Sequence, residues 1–127
     1  KTVLEAYKMP KNTDIQIIER NESLDAAIKE ATNIPFKTLK CCREIMDLTL
    51  EATQYGNPNS VSDAGVAAEM ANAGIHGAAL NVFINLKDIK DKKFCVKMKR
   101  NTEALVKDAD KLLMKTRKTV SKIMNND

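Results

Sequence analysis

From Gly56 to Leu86 the chain reads GNPNSVSDAGVAAEMANAGIHGAALNVFINL. A loop at Asn57-Pro58-Asn59 is followed by Ser60-x-x-Asp63, the pattern of a capping box at the head of a helix. The helix that follows is packed with small residues: Gly65, Ala68, Gly74, Gly77 and Ala78. Each interior Gly costs a helix about 1 kcal/mol relative to Ala, so a helix carrying three of them is poorly built unless neighbours must approach closely. The stretch therefore reads as the central helix of an all-α fold.

The flanks supply the other helices. Ahead of it, Val3, Leu4, Ala6 and Tyr7 form a helical pattern closed by Met9-Pro10-Lys11-Asn12. Thr13 or Asp14 can cap a second helix, with Ile17, Leu24, Ala27, Ile28 and Ala31 on one face. Asn33-Ile34-Pro35 should stop or kink it, because Pro removes a donor and disfavours the helical region for the residue before it. Pro35 then suits the first turn of a third helix with Leu39, Cys42, Ile45, Met46 and Thr49 in one stripe, ended by a left-handed cap at Gly56. Behind the central helix, Phe94, Met98, Leu105, Ala109, Leu112, Thr116, Val120 and Ile123 step mainly by three, four and seven, the seam of a long last helix. The expected architecture is an antiparallel helical bundle with a long C-terminal helix, one domain spanning residues 1–127.

Composition narrows the function. The chain has 127 residues, with 21 Lys plus Arg against 17 Asp plus Glu, three Cys and one His. Residues 87–127 hold 13 of the basic residues and 6 of the acids, so the whole positive excess lies on the last segment. Its cations are interleaved with Glu103, Asp108 and Asp110 and accompanied by one aromatic, Phe94. That describes a solvated face, so neither a nucleic acid nor a membrane is expected as partner. No apolar run approaches the about 20 residues of a spanning helix. Cys41, Cys42 and Cys95 form neither an even framework nor a metal or redox spacing, which fits a reducing, cytoplasmic setting and no metal site. Five of the six methionines, Met46, Met70, Met98, Met114 and Met124, are expected to fill the core.

Few residues are candidates for chemistry. Asp63 follows a loop and opens a helix, where polar groups often meet substrates, although the capping box offers it a structural duty. Asn81 and Asn85 stand one turn apart on one face, amid Val82, Ile84 and Leu86, and either orient a ligand or bond a neighbouring helix. His76 is a candidate general acid or base by residue type, but nothing in the sequence orients it. Phosphate-loop, dinucleotide, nucleophile-elbow and zinc motifs are absent from the sequence.

Gly56-Asn57, Ser62-Asp63, Val66-Ala67-Ala68, Gly77-Ala78, Asn81-Val82 and Ile84-Asn85-Leu86 together resemble the cyclodeaminase domain of formiminotransferase-cyclodeaminase and its stand-alone relatives, the methenyltetrahydrofolate cyclohydrolases. Ala6-Tyr7-Lys8-Met9-Pro10 and Asn33-Ile34-Pro35 agree more loosely, and Phe83 departs from the Arg of many stand-alone bacterial members. The resemblance implies a folate one-carbon enzyme that needs no cofactor beyond its tetrahydrofolate substrate, working as a homodimer. It implies Asp63 as the catalytic acid or base and Asn57, Ser62, Asn81 and Asn85 as substrate-binding residues. It also implies that the chain is the C-terminal part of a longer domain, whose glycine-rich helix start and a further Asp implicated in catalysis precede Lys1. The uncapped look of the sequence at Lys1, as of a helix entered midway, points the same way, and the 127 residues by themselves are then expected to show no measurable turnover. The other reading is a non-catalytic helical module that binds folate or a protein partner.

Overall fold

A computed structural model describes residues 2–125; Lys1, where the sequence reads as a helix entered midway, lies outside the described residues. Among the described residues there are four α-helices and no strand: α1 (Val3–Tyr7), α2 (Asp14–Tyr55), α3 (Val61–Leu86) and α4 (Lys92–Met124), with a 3-10 turn at Pro58–Ser60. The all-α bundle expected from the periodicity is what forms.

Successive long helices run antiparallel. A Cβ built on Gly74 of α3 would lie 2.9 Å from Cys42 Sγ of α2, and one on Gly65 would lie 3.3 Å from Val120 of α4. These contacts set the register: early α3 meets late α4, and the middle of α3 meets the second half of α2. Two of the three helical glycines thus serve close approach, as their helix cost required; Gly77 has nothing within 4 Å. The core gathers around α3: Ala68, Ala71, Ile75, Ala78 and Ala79 pack with Leu39 and Met46 of α2 and Ala109 and Leu113 of α4. Burying side chains such as Leu39, Met46 and Ile75 contributes about 1.5–3 kcal/mol each. The seam expected on α4 is buried or half-buried at every position from Phe94 to Ile123.

Five local expectations are corrected. Pro35 does not end a helix: α2 runs unbroken through it for 42 residues. The roughly 3 kcal/mol cost of an interior Pro is offset because Ala27, Ile28 and Thr32 before it and Leu39 and Met46 after it are all buried, which one continuous helix allows. Gly56 is not a left-handed cap; its φ of −80° and ψ of −175° are extended. Glycine is needed there because a Cβ would run into the Ala52 carbonyl oxygen, to which the Gly56 N–H donates at 2.9 Å. Ser60 makes no side-chain cap bond, so the Ser60/Asp63 capping box is absent. The turn before it is held instead by Asn57, whose Oδ1 accepts from the Asn59 N–H at 3.0 Å. A capping box does form where none was expected, between Thr2 and Glu5 at the head of α1. Of the methionines, Met46 and Met98 are core, whereas Met70, Met114 and Met124 are exposed.

The connection from α3 to α4 is tied to α2. Asp25 accepts from the Lys90 N–H at 2.5 Å, and Lys29 bridges Asp25 (2.8 Å) and Asp91 (3.0 Å). Asp91 in turn caps α4 through the Phe94 N–H at 3.0 Å. The Lys29 hydrogen bond holds the Asp25 carboxyl below its ordinary range, and the Phe94 N–H does the same for Asp91. The Cys95 thiol sits 3.6 Å from the Leu86 and Ile89 carbonyls, a structural position.

Candidate functional site

The residues singled out in the sequence fall into two groups at opposite ends of α3. Asn57, Ser62 and Asp63 lie at its start, Asn81 and Asn85 near its end. Asp63 and Asn81 are eighteen residues apart, five full turns, so they share a face but stand about 27 Å from one another. Asn85 shares that side a turn farther on. Within one chain no small substrate touches both groups.

With the capping box absent, Asp63 is exposed in the first turn of α3 and its carboxylate bonds to none of the described residues. A solvated carboxylate at this place can take a proton from an attacking nucleophile or position a cationic group. Ser62, next to it, lines a cavity of about 390 Å³ between the start of α3 and the end of α4. Thr116, buried in that wall, has an Oγ1 without a partner among the described residues. Across the cavity mouth Glu69 receives Arg117 on both oxygens, at 2.5 and 2.7 Å. That fork holds the Glu69 carboxyl below its ordinary range. Asn57 spends its side chain on the turn. Asn81 is exposed and Asn85 half-buried, and neither side chain has a partner among the described residues.

His76 has the orienting group that the sequence did not show. Its Nε2 lies 2.8 Å from Asp110 Oδ1 of α4, and the Asn72 amide donates to the same oxygen at 3.3 Å. Since a carboxylate only accepts, Nε2 carries the proton in this pair. The dyad borders a cavity of about 380 Å³ with Leu80, Phe83 and Val106. Only the α3–α4 register brings residues 34 apart together, so no local pattern announced it. Among the described residues no group of His, Cys, Asp and Glu could hold a metal ion, and no helix is long and apolar enough to cross a membrane.

The sequence profile of formiminotransferase-cyclodeaminase matches residues 1–104. The chain belongs to that family. Over 123 residues it is 38% identical to a methenyltetrahydrofolate cyclohydrolase of Methylorubrum extorquens, an alignment covering 97% of this chain and 59% of the relative. It is 34% identical over 106 residues to the formimidoyltransferase-cyclodeaminase of Rattus norvegicus, covering 84% of this chain and 20% of that one. Its fold is similar to the crystal structure of formiminotetrahydrofolate cyclodeaminase from Thermotoga maritima, with a TM-score of 0.73 at 25% identity, over 97% of this chain and 57% of that chain. The family member described here thus spans little more than half the length of its bacterial relatives. The family match runs across α1 to α3 and into α4, so it includes both ends of α3.

Proposed function

We propose that the protein is a cytoplasmic folate one-carbon enzyme, a methenyltetrahydrofolate cyclohydrolase or a formiminotetrahydrofolate cyclodeaminase, that needs no cofactor beyond its tetrahydrofolate substrate. The observation that carries the reading is the 97% coverage of this chain by the cyclohydrolase alignment. In the first reaction water attacks the methenyl carbon and the ring opens; in the second, the substrate's own nitrogen attacks the formimino carbon and ammonia leaves. Each requires one group to accept a proton from the attacking atom and another to return it to the leaving nitrogen. Asp63, unpartnered at a helix N-terminus, is the residue we assign to that exchange, with Ser62, Asn81 and Asn85 binding substrate. Asn57 acts by shaping the turn that presents Asp63, a change from direct substrate contact. The unpaired cysteines suit a reducing cytoplasm. The relatives' names describe enzymes, which disfavours a purely non-catalytic module.

The two ends of α3 are reconciled in a homodimer. The outward side of α3 carries Val66, Met70, Leu80 and Ile84, each at least 53% exposed, with Ala73 and the open Gly77 between them. These positions pair symmetrically about Ile75: 66 with 84, 70 with 80, 73 with 77. An antiparallel second copy therefore meets the same stripe, small residues at the crossing, and Asp63 of one copy comes level with Asn85 of the other. Acidic Asp63 also lies toward the Lys87 end of the partner copy rather than beside its own like.

The test is turnover. Methenyltetrahydrofolate hydrolysis followed by absorbance, and ammonia release from formiminotetrahydrofolate, should show one activity for the protein carrying this chain. Asp63→Asn should lower it at least a hundredfold while the circular dichroism spectrum is unchanged. Folded protein inactive on both substrates sinks the reading; full activity in Asp63→Asn sinks only the assignment of Asp63.

A further inference from the structure

On α2, Ile34, Cys41, Leu48 and Tyr55 stand seven residues apart, and Thr38, Ile45 and Ala52 fall between them. The steps alternate four and three, the spacing of a coiled-coil seam. All seven residues are exposed, Tyr55 at 82%, and none is charged. The seam therefore presents an apolar face that none of the described helices covers.

Its place in the bundle is fixed by its neighbours. Cys42 lies against Gly74 of α3, and Arg43 bonds Asp108 of α4. Cys41 precedes both, about 100° around the helix from Cys42 and away from α4. On α3, His76 bonds Asp110 of α4, whereas Ala73 and Gly77 turn the other way. The α2 seam and the outer stripe of α3 thus share the side of the bundle that faces away from α4.

The seam is complementary to itself. Laid antiparallel on a second copy, it sets a large side chain against a small one in each layer: Ile34 on Ala52, Leu48 on Thr38, Ile45 on Cys41 and Tyr55 on Ala31. The last of these is a cavity of about 420 Å³ between α1 and α2, lined by Val3, Ala27, Glu30, Ala31 and Ile34. A phenol ring fills such a hole, and Glu30 offers a carboxylate to its hydroxyl. Along the solvent edge of the seam Lys37 and Lys40 come first and Glu44 and Glu51 later. An antiparallel copy sets those cations against acids, whereas a parallel one sets like against like. The layers centre on residue 43 of α2, within about 3 Å of the level at which the Gly74 contact places Ile75, the midpoint of the α3 stripe. One twofold axis serves both helices.

We propose that α2 packs antiparallel on α2 of a second copy through this seam, with Tyr55 of each copy seated in the α1–α2 cavity of the other. The inference deepens the homodimer reading, from which it takes only the shared axis. The seam itself stands on α2.

Sedimentation equilibrium of the protein carrying this chain, with variants on each helix, tests it. Leu48→Glu should weaken association about tenfold or more, because the pairing would bury a charge. Tyr55→Ala should weaken it severalfold. Lys37→Glu should also weaken it, and adding Glu51→Lys should restore it. The helical spectrum should stay unchanged, since all these side chains are exposed. Mild oxidation of Ile45→Cys should give a covalent dimer through Cys41 of the other copy, lost when Cys41→Ser is added. A stable monomer overturns the proposal, as does a charge swap that fails to restore association or a cross-link indifferent to Cys41. Leu48→Glu that lowers the melting temperature but not the mass shows the seam covered within one copy, and the proposal falls. If Leu80→Glu dissociates the copies and Leu48→Glu does not, this inference falls and the α3 pairing stands. The reverse result removes the α3 pairing alone.

Discussion

Helix α3 is apolar on two opposite faces, and only one of them is covered. The inner face, Ala68, Ala71, Ile75, Ala78, Ala79 and Val82, is buried against α2 and α4. The outer face, Val66, Met70, Gly77, Leu80 and Ile84, is exposed, with no other helix among the described residues upon it. In composition the two differ little, so the difference between them arises from which neighbours the connections deliver. A helix apolar all round is ordinarily covered on every side, and the uncovered face is the one through which the proposed homodimer would pair.

The contrast can be broken most sharply by truncation. Ile75→Ala should lower the unfolding free energy by about 2–5 kcal/mol, since the vacated volume lies in a packed core. Leu80→Ala, in dilute protein, should change it by less than about 0.5 kcal/mol. Equal losses in denaturant melts would show that the outer face is covered within the monomer.

Introducing charge on the outer face comes next. Met70→Glu and Leu80→Glu should each weaken self-association at least tenfold, about 1.4 kcal/mol, in sedimentation equilibrium, while leaving the helical spectrum intact. Protein that is monomeric at tens of micromolar before any substitution refutes the pairing through α3.

Glycine gives a finer probe. Gly77→Ala meets nothing within 4 Å and should stabilise the monomer by about 0.5–1 kcal/mol through helix propensity. Gly74→Ala places a methyl 2.9 Å from Cys42 Sγ, which has to turn aside, so it should gain less or lose stability. If the two substitutions behave alike in thermal melts, the close α2–α3 approach is wrong.

The smallest effect is that of acid. Asp25, Glu69 and Asp91 all titrate below their ordinary range because of Lys29, Arg117 and the Phe94 N–H respectively. Their contribution is present above the unfolded carboxylate range of about 4 and is lost as pH falls through the lower folded values. Stability should therefore decline below about pH 4, and Arg117→Met should flatten that decline slightly. An unchanged pH profile in Arg117→Met would remove Glu69 from the account.

Several features were legible because they are local or periodic. The α4 seam from Phe94 to Ile123 reads directly from its spacing, and the glycines at 65 and 74 announced close approach by their cost to a helix. Pro35 was misleading because a rule about one residue's backbone yields to the burial of five others on the same helix face. The Ser60/Asp63 box failed because the Pro58–Ser60 turn leads directly into α3, leaving Ser60 without the geometry of a side-chain cap. Met70 and Met114 share the apolar character of core residues, and periodicity does not say which stripe a neighbour covers.

By itself the sequence determined an all-α bundle, the central place of α3 and the family, since periodicity, small-residue spacing and a motif are properties of the chain read in order. The tertiary structure alone decided the partners. It set His76 against Asp110, freed Asp63 from its cap, and put it about 27 Å from Asn81. Each of these depends on the register between helices. That register is fixed by side chains interlocking far apart in sequence, where no local preference reaches.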